Sequence, residues 1–259
     1  MEFTIGTFEA ENKTCSIPKK SLVRVQFPKQ NVQPLYYNDQ FDLKMGDFVH
    51  VEGKMAGQLG RVTEVNYNFK IKPSDYWKVT ALVDTCVRGQ FYMAGSHFVT
   101  FDPAALTPRQ IITWFKASTQ EDEEFVISTD DSSFSLDNLN AMNISAAIAQ
   151  RGHDYYLENR VRYLCLDGAK GFAIVEGTET YTVEFEYHNG QISHLLCDCP
   201  CGYTCKHEFA AMLQLNETLE LIGKHYAEEY ARSNYFAAVL KSTLFTFAIA
   251  GKETGSFIL

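Results

Sequence analysis

The chain has 259 residues, 46% of them apolar and 21% charged, and a formal net charge of −9. That length supports one large core or two ordinary ones, the acidic balance argues against nucleic-acid binding through net charge alone, and no apolar run approaches the roughly twenty residues that cross a bilayer. The cysteine count is odd, at seven; with no recognisable secretory leader this argues against a disulfide framework and for a reducing, cytoplasmic compartment.

From residue 21 the chain runs through short segments rich in β-branched and aromatic residues, SLVRVQF, PLYYN, GDFVHVE, LGRVTEVNYNF and YWKVTALVD, punctuated by Gly, Asn, Asp and Pro. This pattern predicts a small β-barrel or sandwich. Within it, Gly46-Asp47 precede Val49 and Val51, followed by Gly53, Ala56-Gly57, Gly60, Val62 and Val65. The run resembles the KOW-type signature of SH3-like barrels in ribosomal and transcription factors, and so implies such a barrel. A tight glycine turn between two strands accounts for the same residues on local grounds. Residues 1–118 hold fourteen Lys and Arg against eleven Asp and Glu. Lys19, Lys20, Arg24 and Lys29, with Lys70, Lys72 and Lys78 interleaved with Phe69, Tyr76 and Trp77, define a candidate nucleic-acid surface of amines and rings. Ordinary solvated lysines are the simpler reading, and the small basic excess weighs towards it.

Thr107-Pro108 is a helix start, threonine as N-cap and proline in the first turn, leading through Ile111, Ile112, Trp114 and Phe115. STQEDEEF and STDDSSFS follow, and residues 119–149 carry seven acids and no base. Acidic, hydroxyl-rich stretches of this kind are linkers or exposed loops. The expected organisation is a β-rich region over 1–120, an acidic linker over 121–141, a compact unit over 142–217 and a helical extension over 218–259, the possible start of a further unit.

TYTVEFEYHNGQISHLLCDC reads as an antiparallel hairpin, with Tyr181, Val183, Phe185 and Tyr187 alternating with polar residues and Asn189-Gly190 as the turn. It runs into CDCPCGYTCKH, residues 197–207, and then into EFAAMLQL, whose apolar spacing predicts a helix. Cysteines and a histidine packed this densely suit the closed tetrahedral S₃N site of structural zinc. Cys15, Cys86 and Cys165, scattered elsewhere, read as buried filler thiols. Cys197-Asp198-Cys199, a five-residue spacer and Cys205-Lys206-His207 resemble the SWIM zinc-finger family, whose pattern is Cys-x-Cys followed by Cys-x-His. RGHDYYLENRV resembles the helix that opens such modules, and GFAIVEGTETYTVEF their strand, turn and strand. The resemblance spans residues 142–217 and implies zinc on Cys197, Cys199, Cys205 and His207. Cys201, a fourth thiol inside the spacer, departs from the pattern. Strand alternation would put it beside Cys197 and Cys199, and the family pattern makes it a spectator.

A closed site has no open position for an activated water, so the metal is expected to build a shape rather than catalyse. No Walker loop, G-x-S-x-G elbow or H-E-x-x-H helix suggests an enzyme or a small-molecule substrate. SWIM-like modules resemble segments found beside bacterial Swi/Snf-type helicases and in transposase-related proteins, which implies a non-catalytic module in nucleic-acid transactions, here the N-terminal region of a helicase-associated protein. The alternative is a protein-interaction scaffold whose acidic zinc face meets another protein. Beyond the zinc unit, NETLELIGKHYAEEYARSNYFAAVLKS reads as helix through Leu219, Ile222, Tyr226, Phe236, Val239 and Leu240. LFTFAIAGKETGSFIL, ending on Leu259, suggests a chain continuing into a longer protein. The fold expected is α+β: an SH3-like barrel, then a hairpin-and-helix zinc unit with C-terminal helices.

Overall fold

The computed structural model describes residues 19–28, 30–117 and 133–249. Cys15, Lys29, the acidic run 121–132 and the last ten residues lie outside them. The architecture is mixed α and β, built on two antiparallel sheets.

The first sheet comprises β1 (Ser21–Gln26), β2 (Leu35–Asn38), β3 (Phe48–Val51), β4 (Gly60–Asn66) and β5 (Val79–Leu82), in the order β2-β1-β4-β3-β5. Inward residues Val23, Val25, Tyr36, Val49, Val62 and Val79 make its own core. The sheet curls until its edges meet: Tyr37 of β2 forms a single parallel bridge with Lys78, and the Tyr37 N–H donates to the Trp77 carbonyl at 2.9 Å. The edges share that one bridge and no continuous ladder, so the sheet is curled but not a closed barrel.

The second sheet joins β6 (Tyr92–Ala94), β7 (His97–Thr100), β8 (Phe134–Ser135), β9 (Val161–Asp167), β10 (Lys170–Glu176), β11 (Thr180–His188), β12 (Gln191–Cys197) and β13 (Tyr235–Leu240). Their order is β6-β7-β13-β9-β10-β11-β12-β8. The β11–β12 hairpin is the one the alternation predicts, with Asn189 and Gly190 both at positive φ, 50° and 82°. Between the sheets, α1 (Pro108–Ile112) starts as expected, the Thr107 Oγ1 accepting the Gln110 N–H at 3.1 Å.

Further expectations change. The segment after the zinc unit is not helix throughout: α3 (Lys206–His225) and α4 (Ala227–Ser233) end at Asn234, whose φ is 52°, and the chain then enters β13 before α5 (Lys241–Leu244). β13 pairs with β7 on one side and β9 on the other, so residues 92–100 and 235–240 share a sheet with the hairpin, across the division expected near residue 120. The other division, at residue 217, falls inside α3. The physical reason is burial on both faces. Leu164, Leu166, Phe236 and Ala238 face α3 and α2 (Ala146–Leu157), whereas Tyr163, Cys165, Tyr235, Ala237 and Val239 face Phe98, Leu106, Ile111 and Trp114. A strand covered on both sides loses the alternation that marks a half-exposed one. Among the scattered thiols, Cys165 is buried as filler, but Cys86 is exposed.

His97 ties this sheet together. Its ring is fully enclosed; Nε2 lies 2.9 Å from the Val161 carbonyl, across β13 in β9, and Nδ1 lies 2.9 Å from the Ser96 hydroxyl. A carbonyl only accepts, so Nε2 carries a proton, and complete burial keeps the ring neutral. Burial holds its pKa down at about 4, against 6.5 for a free histidine. The unfolded chain therefore takes up this proton first as pH falls, so the stabilisation is complete above about 6.5 and is lost towards 4, by about 3 kcal/mol if His97 acts alone. Glu208 and the knuckle thiols titrate alike in both proteins, so urea unfolding from pH 7 to pH 4 is expected to show this slope as the difference between wild type and His97→Gln, which has a donor but no titration.

Candidate metal centre

The two pairs of candidate ligands come from opposite ends of one connection. Cys197 is the last residue of β12, paired with Val183, and Cys199 follows it. Cys205 is the N-cap of α3 and His207 lies in its first turn. The strand end and the helix start bring the four ligand atoms within 4.8 Å of one another, and all four residues are buried. His207 turns Nδ1 inward, 3.7 Å from Cys197 Sγ and 3.6 Å from Cys205 Sγ. Tetrahedral bond lengths of about 2.3 Å to sulfur and about 2.0–2.1 Å to nitrogen require an S···N edge of about 3.6 Å. The donor set and its spacing fit a divalent metal.

The surrounding residues fix this arrangement. Each sulfur accepts a backbone N–H: Cys197 from Cys199, Cys199 from Cys201, and Cys205 from Glu208. In return the Glu208 carboxylate accepts the Cys205 N–H at 2.6 Å, closing a capping box in which cysteine takes the usual serine's place. Asp198, between the first two ligands, accepts the Thr182 N–H and hydroxyl, both at 2.8 Å, and pairs with Lys116 at 2.9 Å. The knuckle is thus pinned to β11 and to the segment after α1. The His207 ring stacks on Tyr181, centroids 4.3 Å apart, and Tyr155 meets it at 5.6 Å. Tyr155 comes from α2, which approaches closely because Gly152 leaves room: a Cβ there would lie 2.8 Å from Phe209 Cβ and 2.9 Å from the Lys206 carbonyl.

Electrostatics sharpen the reading. The Cys205 thiol is held down at about 4, first by the hydrogen bond from the Cys197 thiol and then by His207 and the Glu208 N–H, against the opposing effect of burial. Cys197, on the donating side of that bond, is raised, and burial raises Cys199 to about 12. Burial, with the neighbouring Cys205 charge, raises the Glu208 carboxyl to about 8. Three thiolates in one buried pocket repel each other, and only a cation lets all of them ionise.

Cys201, the fourth thiol, is exposed and outside the cluster. Of the candidate nucleic-acid residues, Lys70 and Lys72 are exposed, Tyr76 is half-buried and Trp77 is exposed. Lys78 is already occupied, paired with Asp39 at 3.0 Å and lying 5.8 Å above the Tyr37 ring. Sequence reasoning missed Asp198, Glu208 and Gly152. A Glu three residues after an N-cap was the available signal for Glu208; nothing local marked the other two.

An uncharacterized protein of Methanocaldococcus jannaschii, MJ1493, is 36% identical to the chain over 69 residues, covering 27% of this chain and 29% of the relative. The chain thus matches less than a third of that protein's length. No family model and no solved structure matches the chain.

Two outcomes are expected. With Cys205 ionised and Cys197 and Cys199 protonated near neutral pH, metal binding is expected to release about two protons, so affinity rises by about two orders of magnitude per pH unit around neutrality. Uptake in weak buffer with a pH indicator measures this. Asp198→Ala is expected to weaken metal binding by about 10–100-fold while leaving stoichiometry unchanged, as read by competition with a chromogenic chelator.

Proposed function

We propose that the chain is a zinc-stabilised, non-catalytic interaction module of SWIM type acting in nucleic-acid transactions. The observation that carries the zinc reading is the convergence of three sulfurs and one imidazole within 4.8 Å, two S···N pairs lying at the tetrahedral edge, with no carboxylate or fifth donor grouped with them among the described residues. When bound, zinc supplies a fixed cross-link and the charge that lets the thiols ionise. Cys197 and Cys199 hold it from the strand, Cys205 and His207 from the helix, and the four ligands leave no position for a reacting molecule. The family pattern supports the assignment to SWIM, and the curled five-stranded sheet with its single edge-to-edge bridge supports an SH3-like relationship for the first sheet. A second reading, a scaffold for protein partners without direct nucleic-acid contact, is favoured by the net charge of −9.

Among the described residues no helix is long and apolar enough to cross a membrane. Elemental analysis of the purified protein is expected to give one zinc per chain. Cys199→Ser is expected to lose it and to unfold the knuckle by circular dichroism. Full retention of zinc by that variant would mean that Cys201 serves as a ligand instead.

A further inference from the structure

Trp77 is held in an unusual way. Gly53, with φ at 79°, lies under its indole: a Cβ built there would fall 2.1 Å from Cδ2, 2.4 Å from Cε2 and 2.6 Å from Cε3. Cδ2 and Cε2 form the fused bond at the middle of the ring system and Cε3 adjoins it, so the glycine meets the ring over its face and not at its edge. One face of the indole is therefore sealed against backbone. The side chain is nevertheless 47% exposed, so the opposite face is open. Any side chain at residue 53 would displace the ring.

The backbone beneath it is fixed. The Trp77 carbonyl accepts the Tyr37 N–H at 2.9 Å, the Lys78 carbonyl accepts the Glu52 N–H at 2.9 Å, and Glu52 Oε2 accepts the Lys78 N–H at 3.1 Å. Lys78 is anchored further by Asp39. A tryptophan so placed has its backbone held and one face of its ring backed by Gly53. It stands beside a shallow groove lined by Val32, Pro34, Tyr36, Met55 and Lys54.

Lys54, Lys70, Lys72 and Lys78 stand around the plane against Asp39, Glu52 and Asp75, a small basic excess in an acidic chain, and Lys78 is the base taken up by Asp39. Lys54 lines the groove, and Lys70 and Lys72 are exposed in the loop leading to Trp77. None of the three takes part in an ion pair among the described residues. Asp75 is the single acid between Tyr67 and Trp77. An open aromatic plane flanked by unpaired amines is the combination that binds single strands: the ring stacks on a base and the amines neutralise phosphates. An apolar peptide would use the groove but not the amines.

We propose that the open face of Trp77 stacks on an unpaired base of single-stranded nucleic acid, with Lys54, Lys70 and Lys72 meeting the backbone phosphates. This rests on the nucleic-acid reading above and places the contact on the first sheet, away from the metal.

The chain provides its own probe. It has two tryptophans, and Trp114 is 1% exposed, so emission changes on adding a ligand report Trp77. The full chain, loaded with zinc, is titrated with fluorescein-labelled oligothymidylate and oligouridylate at low and at physiological salt, following tryptophan emission and oligonucleotide anisotropy. The expected result is quenching that saturates with the anisotropy change and an affinity that falls steeply with salt. Trp77→Ala is expected to weaken binding about tenfold or more. Gly53→Ala, which keeps the ring but lifts it, is expected to weaken binding in the same direction, and Lys54→Ala with Lys72→Ala to flatten the salt dependence. Wild-type affinity in Trp77→Ala would overturn the platform and leave the nucleic-acid reading standing. No binding by the wild-type protein at low salt would overturn both, whereas the zinc assay stands independently. Quenching by a proline-rich or acidic peptide and not by oligonucleotides would replace the proposal with a protein partner. If Trp77→Ala fails to fold, judged by Trp114 emission, the lysine variant decides: an unchanged salt slope overturns the proposal.

Discussion

Three cysteine sulfurs forced into one buried pocket repel one another as soon as they ionise. Cys197, Cys199 and Cys205 are placed by a strand end and a helix cap that face each other, and His207 closes the fourth side. Without a cation the proton balance is uneven, with Cys205 ionised and the other two thiols protonated. A divalent metal held there would resolve the repulsion and join β12 to α3 by four bonds. The N–H groups aimed at each sulfur and the capping carboxylate of Glu208 hold the site ready for that charge.

The rest of the second sheet is arranged around this junction. α3 starts at the ligands and then runs along the sheet, burying Ala210, Ala211, Met212, Leu215 and Ile222 against one face. Burial of apolar surface is worth about 25 cal/mol per Å² removed from water, so this helix face contributes several times what any single polar contact at the knuckle does. The capped ligand cluster therefore marks where the helix begins, and the apolar face sets where it lies. Asp198 and Lys116 extend the link to the segment after α1, whose Ile111 and Trp114 fill the opposite face of the sheet.

Because β9 and β13 are covered on both faces, the two layers are not separable bodies. β13 leaves the helices and returns to the centre of the sheet, between a strand from the first part of the chain and a strand from the metal-bearing part. The first sheet keeps its own small core around Val25 and Tyr36 and presents Trp77 on its surface. The Cys/His cluster thus belongs to the frame of the second sheet, and exposed Trp77 belongs to the first.

The sequence alone determined what short-range physics controls. Asn189-Gly190 between alternating strands specified the hairpin, Thr107-Pro108 specified a helix start, and the dense run from Cys197 to His207 marked where a metal-binding cluster would form, because each depends on residues a few positions apart. It did not determine that YFAAVL is a strand, since an apolar run buried on both sides has no period to read, and the Asn234 helix stop was the local sign available. Nor did it show that Asp198 holds Thr182 and Lys116, that Gly152 admits α2 to the site, or that Gly53 turns an ordinary tryptophan into an open plane. Those depend on which residues meet across long stretches of chain, and only the packing of the sheets and helices decides that.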